Sequence, residues 1–354
     1  MAILSEMPLH LHLSSKISLV LHPHVMAHQT PQKPIHLPEI LVVGPPSILS
    51  TYENQFSQKF HMLKPYESPI PLEEFLKIHA QNTQAVFTSG TFQHLNSTLQ
   101  LLPSVRVVVT TSVGLDHIDL NQCRRRGIAV AYTPAIFSAD VADLAVGLLI
   151  DVLRKISAAN GFVKSGFWPI KGDYHLATKL SGKRVGIVGL GSIGLEVGKR
   201  LEAFDCKISY QSRKKKPSAS YHFYTDVCEL AEHSDILIVC CALNDQTYHL
   251  INKEVLLALG KEGVIVNIAR GSIIDEKELV QFLQQGKIAG AGLEVFEHEP
   301  NVPEELFELD NVVLSPHAAV YTEESYKDLY DLIIRNLEAF FSNKPLISPV
   351  PLDE

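Results

Sequence analysis

The sequence predicts an α/β protein built on two doubly wound parallel sheets. Three observations carry this: short, continuously apolar runs alternate with helical ones, the runs fall into two sets, and a spaced glycine triplet follows the first run of the second set. A run that is apolar at every position suits a parallel strand covered on both faces, whereas a strand with one wet face alternates. The length agrees, since 354 residues are more than two typical domains need.

The first set, from about 39 to 133, reads "EILVVG", "AVFTSG", "VRVVVTTS" and "IAVAYT". An amphipathic helical segment, "SADVADLAVGLLIDVLRKISAANGFVKSG", leads to the second set, about 183 to 316: "KRVGIVGL", "KISYQ", "ILIVCCA", "VIVNIA", "AGLEVF" and "NVVLSP". After it comes one long helix, "TEESYKDLYDLIIRNLEAFFSNK", with no strand left to pair. That helix is expected to return to the first sheet, so that residues 38–136 and 318–354 form one domain and 137–317 a second one inserted in it, with the two crossovers as a hinge. Residues 1–37, rich in His, Ser and Pro, stand apart as a poorly ordered extension, and Met26 is an alternative start. The histidines there (10, 12, 22, 24, 28, 36) follow no metal-ligand spacing, and no metal site is expected.

Composition excludes several classes. Hydrophobic content of 46% with 20% charged residues describes a globular chain, and no apolar run reaches the 18 residues of a membrane span. A net charge of −8 argues against nucleic-acid binding, so Arg124 to Arg126 read as the solvated end of a helix. Five cysteines with no CxxC pattern read as reduced and buried, Cys240 and Cys241 inside a strand, in a cytoplasmic protein. The C-terminal "PLDE" is no peroxisomal address.

"KRVGIVGLGSIGLEVGKRL" sets Gly189, Gly191 and Gly194 in GxGxxG spacing between a strand and a helix, with a second strand within about thirty residues. Gly189 permits the tight turn, Gly191 lets backbone approach a pyrophosphate, and Gly194 lets helix and strand pack closely; Ser192 and Ile193 open the helix whose N-terminus faces the phosphates. A ribose-binding carboxylate is due at the end of the second strand, yet Gln211 stands there, followed by Ser212, Arg213 and Lys214 to Lys216. A hydroxyl and cations in place of an acid suit a 2′-phosphate, so the expected cofactor is NADP(H), bound through Ser212, Arg213 and Lys214. A solvated turn that is merely basic is the bland alternative.

Arg270, Glu299 and His317 each follow a strand of the second set, where a doubly wound sheet places its ligand. The guanidinium can hold a carboxylate and polarise a neighbouring ketone, and the imidazole can deliver a proton to its oxygen; a carboxylate beside the imidazole favours the charged form.

With these segments in place the chain, from about Ile40 onward, resembles the D-isomer-specific 2-hydroxyacid dehydrogenases: "VGIVGLGSIG", "GVIVNIARGSIID", "GLEVFEHEP" and "LSPHAA" occur in the family's order. The resemblance implies a Rossmann NADP-binding domain inserted in a flavodoxin-like substrate domain. It also implies Arg270 as the substrate-orienting arginine, Glu299 as the carboxylate partner and His317 as the acid/base. In "TTSVGLDHIDL" it implies backbone N–H groups of Val113 and Gly114 facing the substrate carboxylate. Glu294 stands where the family has an Asp near the nicotinamide amide, and Ala318 and Ala319 follow His317 where relatives carry glycine or a larger polar residue. Trp168, in "SGFWPIKG", lies in a segment that forms a dimer arm in relatives, which makes it a dimer anchor, a lining of the neighbouring pocket or plain packing.

The implied activity is NADPH-dependent reduction of glyoxylate or hydroxypyruvate, most like the plant enzymes, in a homodimer. Reduction of hydroxyphenylpyruvate is the alternative, with Phe92 and Trp168 admitting a ring. A dinucleotide-sensing binding protein is the alternative from another class.

Overall fold

In the computed structural model, which describes residues 37–351, twelve strands form two sheets. The first sheet holds β1 (Glu39–Val43), β2 (His61–Leu63), β3 (Ala85–Thr88), β4 (Val107–Thr110) and β5 (Ala129–Ala131) in the order β2-β1-β3-β4-β5. The second holds β6 (Arg184–Val188), β7 (Lys207–Gln211), β8 (His222–Tyr224), β9 (Ile236–Val239), β10 (Val264–Asn267), β11 (Gly290–Leu293) and β12 (Val312–Leu314) in the order β12-β11-β10-β9-β6-β7-β8. Every pairing is parallel. The first order is that of flavodoxin-like sheets and the second extends the Rossmann order. Both reverse direction beside their first strand, and there a crevice opens at the carboxyl ends.

The inner strands are buried along their whole length: β3, β4, β9, β10 and β11 expose no residue. Each fully buried Val, Ile or Leu there contributes about 1.5–3 kcal/mol relative to exposure, which is why these strands were conspicuous as apolar runs. β2 and β8, three residues each at sheet edges, carry the partly exposed sequences His-Met-Leu and His-Phe-Tyr and gave no such signal.

Three readings are corrected. The segment before the second sheet is two helices, Ser138–Arg154 and Ile156–Lys164, because Lys155 turns left-handed at φ 54°. The first packs on β10, β11 and β12, while the second buries none of its residues. β9 ends at Val239, so Cys240 and Cys241 lie in the loop beyond it, and with Cys228 they are only partly buried; Cys123 and Cys206 are buried, and all five are free. Arg124 and Arg125 are exposed at the end of their helix, but Arg126 is part-buried: it donates to the carbonyls of Leu99 and Leu102 at the C-terminus of the helix Leu95–Gln100. Trp168 is 60% exposed, on the short helix Trp168–Lys171.

The long helix Glu323–Phe341, capped by Thr322, packs on the first sheet. Tyr330 stacks on Tyr52 and meets Phe56 edge-on, and Lys59 pairs with Glu338 at 2.5 Å. Beyond the helix the chain returns to β5, with Val350 N–H donating to Val130 and Tyr132 N–H to Ser348. Buried Asn336 holds that return through both Ile347 and Ser348. The histidine-rich segment, the alternative start at Met26 and the last three residues lie outside the described residues.

Candidate active site

The glycine loop leaves β6 at Val188, which is in register with Gln211 of β7. Gly189 has φ 94°, and a Cβ there would lie 2.6 Å from the backbone of Cys241, so only glycine fits the turn. A Cβ on Gly194 would meet the Gly189 carbonyl at 2.5 Å, which is the close helix–strand approach expected of the third glycine. Gly191 differs: a Cβ there would meet nothing of the protein within 4 Å. Its open side faces the start of the helix Ser192–Glu202, an eleven-residue helix whose N-terminus has no side-chain cap, while Ser192 is exposed and Ile193 half-buried. Uncapped N–H groups beside open space suit a pyrophosphate. Burial pushes the Cys241 thiol against this turn up to about 11 and the Cys240 thiol higher still, so neither is a nucleophile at neutral pH.

At the end of β7, Gln211 donates to the Thr225 carbonyl and accepts nothing through its side chain among the described residues. Ser212 donates its hydroxyl to the Lys214 carbonyl at 2.7 Å, making a tight turn that leaves Arg213 to Lys216 exposed. Tyr210, fully buried beneath, accepts the Lys216 N–H at 2.8 Å and fixes the base of the turn.

Across the crevice, the loop after β4 is braced from behind. His117 Nε2 lies 3.2 Å from the Thr110 hydroxyl, Ser112 donates to the same hydroxyl, and Asp119 caps the helix Leu120–Arg125 while its own N–H donates to Asn96. Burial holds the His117 imidazole below its usual range, with Asp116 opposing and Arg270 reinforcing the shift. The N–H groups of Val113 and Gly114 donate to no other group among the described residues. Two free N–H groups on a braced loop can hold an anion such as a carboxylate.

Arg270 reaches this loop from the second sheet. Its Nε lies 3.4 Å from Asp116 Oδ1, its Nη1 donates to the Ala269 carbonyl at 2.7 Å, and a Cβ on Gly114 would fall on its Nη2. Buried Asn267 ties the turn by donating to the Arg270 carbonyl and accepting from Ala269. The next residue, Gly271, lies flat on the Phe296 carbonyl, so the arginine loop packs against the loop that carries Glu299.

Glu299 Oε2 lies 2.8 Å from His317 Nδ1, and Oε1 accepts the Phe296 N–H at 3.0 Å. Burial works to raise the Glu299 carboxyl, but His317, the Phe296 N–H and the Arg270 charge outweigh it and hold it below the usual glutamate range. His317 has φ 53° and its N–H donates to the Glu294 carbonyl. A left-handed histidine is uncommon and carries strain that the surrounding hydrogen bonds must hold. Glu294 is 1% exposed; one oxygen accepts the Ala319 N–H at 2.5 Å and the other, Oε2, has no partner. An orphaned buried carboxylate oxygen beside the histidine fits a ligand with an N–H donor, such as a carboxamide.

The three residues singled out for chemistry thus meet the predicted receptor loop. Asp116 and His117 were missed as site residues although both stand in "TTSVGLDHIDL"; a charged and a titratable residue inside a glycine-bearing loop were the available signal. Asn267 and Asp119 act through backbone caps that a single sequence does not display.

A Rossmann sheet with an uncapped glycine loop, facing a carboxylate–histidine pair and an arginine, defines a dinucleotide-dependent oxidoreductase. Residues 146–319 match the model of the D-isomer specific 2-hydroxyacid dehydrogenase NAD-binding domain. A glyoxylate/hydroxypyruvate reductase of Arabidopsis thaliana is 51% identical over 317 residues, 89% of this chain and 98% of that one. A hydroxyphenylpyruvate reductase of Plectranthus scutellarioides is 48% identical over 85% of this chain and 96% of its own. Among solved structures, an NADPH-dependent glyoxylate/hydroxypyruvate reductase of Sinorhizobium meliloti, in complex with NADP and malonate, superposes with a TM-score of 0.82 at 35% identity, over 89% of this chain and 97% of that one. The chain belongs to the D-isomer specific 2-hydroxyacid dehydrogenase family.

Proposed function

We propose that this protein is an NADPH-dependent reductase of small 2-oxo acids, converting glyoxylate to glycolate and hydroxypyruvate to D-glycerate. The observation that carries the reading is the His317–Glu299 pair set beside Arg270, opposite two unpaired N–H groups. Glycine residues 189, 191 and 194, with Ser192 and Ile193, hold the pyrophosphate of the cofactor, and Glu294 meets its carboxamide. Ser212, Arg213 and Lys214 take the 2′-phosphate. Bound NADPH supplies the hydride for the keto carbon.

Val113 and Gly114 N–H groups and Arg270 bind the substrate carboxylate. Arg270 also draws electron density toward the keto oxygen. Glu299 fixes the proton of His317 on Nδ1 and leaves Nε2 to deliver its own proton to that oxygen as the alcohol forms. Support for the cofactor choice comes from Gln211, which offers no carboxylate to repel a phosphate, and from the exposed cations after it.

The same reading divides the chain into a substrate unit of residues 38–136 and 318–354 and an NADP unit of 137–317, supported by the two sheets and by the return of the last helix to the first of them. A homodimer formed through the segment 156–176 is part of it. Support comes from apolar side chains left in solvent there: Ile156 at 52%, Trp168 at 60%, Ile170 at 79% and Leu176 at 96%. A cytoplasmic setting agrees with five free cysteines. Among the described residues no helix is long and apolar enough to cross a membrane, and no cluster of metal ligands occurs.

Hydroxyphenylpyruvate is the second reading, favoured by the 48% identical relative and by partly buried Phe92, which fills the space over Gly44 just past β1. Steady-state rates with glyoxylate, hydroxypyruvate and hydroxyphenylpyruvate, each with NADPH and NADH, test both. The highest kcat/KM with a small acid and NADPH is expected. A clear preference for the aromatic acid selects the second reading, and no turnover with any pair refutes both in favour of a dinucleotide-sensing binding protein.

A further inference from the structure

We propose that Asp116 is the positioning residue for Arg270, gripping its guanidinium across the crevice so that the terminal nitrogens are presented to the substrate carboxylate. The inference rests on the reading above and adds a residue to it.

Arg270 stands on a loop of the second sheet and Asp116 on the receptor loop of the first. A guanidinium has one Nε–H and two Nη groups, and which edge is occupied decides which edge remains for a ligand. Here Asp116 Oδ1 is 3.4 Å from Nε and the Ala269 carbonyl accepts from Nη1, so Nη2 is the nitrogen with no protein acceptor among the described residues. That nitrogen lies where the Gly114 side chain would begin, beside the unpaired N–H groups of Val113 and Gly114. One nitrogen of the second sheet therefore stands beside a loop of the first that has two unpaired N–H groups.

Asp116 itself is held by neighbours that do not move with the arginine. The following residue, His117, is 5% exposed and fixed to Thr110, and Asp119 caps the next helix. The carboxylate is therefore carried on a braced loop, while Arg270 is the longer partner that reaches to it. Their side chains are 33% and 30% exposed, so the direct stability of the pair is that of a screened ion pair, small by itself. Its value lies in orientation. A shift of about 1 Å in a substrate-holding group costs up to about a hundredfold in rate.

The pairing also places one negative charge at the rim of the receptor. A 2-oxo acid with a single carboxylate satisfies Arg270 and leaves Asp116 undisturbed, whereas a second carboxylate near that rim meets a like charge.

The test is a double-mutant cycle on the intact enzyme with Asp116→Asn, Arg270→Lys and the pair, together with Asp116→Glu. Glyoxylate reduction with NADPH is measured, and binding of oxamate, an unreactive 2-oxo acid analogue, is followed by calorimetry. Asp116→Asn is expected to lower kcat/KM for glyoxylate about 10- to 100-fold and weaken oxamate, with the KM for NADPH and the Tm unchanged. Asp116→Glu is expected to recover part of the loss, and Asp116→Asn to add little once Arg270 is Lys. Normal kcat/KM in Asp116→Asn, or a loss of full size in the Arg270→Lys background, overturns the inference. A loss that follows a drop in Tm and is equal for NADPH and glyoxylate assigns Asp116 a structural role and overturns it as well. A wild-type enzyme inactive on every 2-oxo acid overturns the functional reading instead, and this inference with it.

Discussion

The Nδ1 atom of His317 lies 2.8 Å from Oε2 of Glu299, and the other oxygen of the same carboxylate is held by the Phe296 N–H. Two anchors on one carboxylate fix the ring plane of the histidine, and its left-handed backbone adds a strain that only a well-supported loop holds in place. His317→Ala is expected to lower kcat by about 10²- to 10⁴-fold, the usual worth of a general acid. Glu299→Gln keeps the shape but offers only a neutral oxygen, and a loss of at least about tenfold is expected, with glyoxylate KM changed less than kcat. Near-normal turnover in either variant contradicts the assignment.

The same pair makes a prediction about stability and pH. Glu299 is held below its ordinary value of 4.5, despite the opposing effect of burial, chiefly by His317. A carboxyl depressed in the folded state stabilises the fold above its unfolded pKa, and that contribution disappears as pH falls through the lower folded value. The Tm difference between wild type and Glu299→Gln is therefore expected to shrink as pH falls below 4.5. Thermal melts from pH 3 to 7 read this directly, and a difference that grows on acidification reverses the sign and refutes the argument.

Much of this was written plainly in the chain. Ten strands were legible, most clearly β3, β4 and β9 through β11, where burial on both faces confines polar residues to the strand ends, Thr88, Thr110 and Asn267. β2 and β8 were not, because each opens on an exposed histidine and buries no residue fully, whereas the other two edge strands, β5 and β12, stay apolar throughout as Ala-Val-Ala and Val-Val-Leu. Arg270, Glu299 and His317 were legible since each follows a strand of the second sheet, and a parallel sheet delivers all such positions to one edge. Asp116 was hidden for the opposite reason: its importance is set by a residue 154 positions later, and nothing local marks the partner. The split of one helical segment at Lys155 was equally invisible, as lysine carries no signal for a left-handed turn.

The basic turn after β7 yields a selective prediction. Gln211 holds the register beside the glycine loop, and Arg213 is the first cation to leave the sheet. A charge-assisted hydrogen bond is worth about 1.5–3 kcal/mol, or roughly ten- to a hundredfold in affinity. Arg213→Ala is expected to raise the KM for NADPH by about that factor and the KM for NADH by less than about twofold. Equal effects on both cofactors return the turn to being a solvated basic loop.

Two glycines of the same loop separate folding from binding. At Gly189 both the backbone angle of 94° and the 2.6 Å approach to Cys241 reject a side chain, and the obstacle is backbone that has no rotamer with which to retreat. Gly189→Ala is expected to lose at least about 2 kcal/mol of stability, visible as a lower denaturation midpoint in the absence of any cofactor. At Gly191 a methyl group meets nothing of the protein and φ is an ordinary −90°, so Gly191→Ala is expected to keep the wild-type midpoint. Under the proposed function that open space takes the pyrophosphate, and the variant is expected to bind NADPH at least about tenfold more weakly by fluorescence titration. If Gly191→Ala binds NADPH normally, the pyrophosphate does not lie against that glycine; if it unfolds instead, the open space has a structural use that the contacts around it do not show.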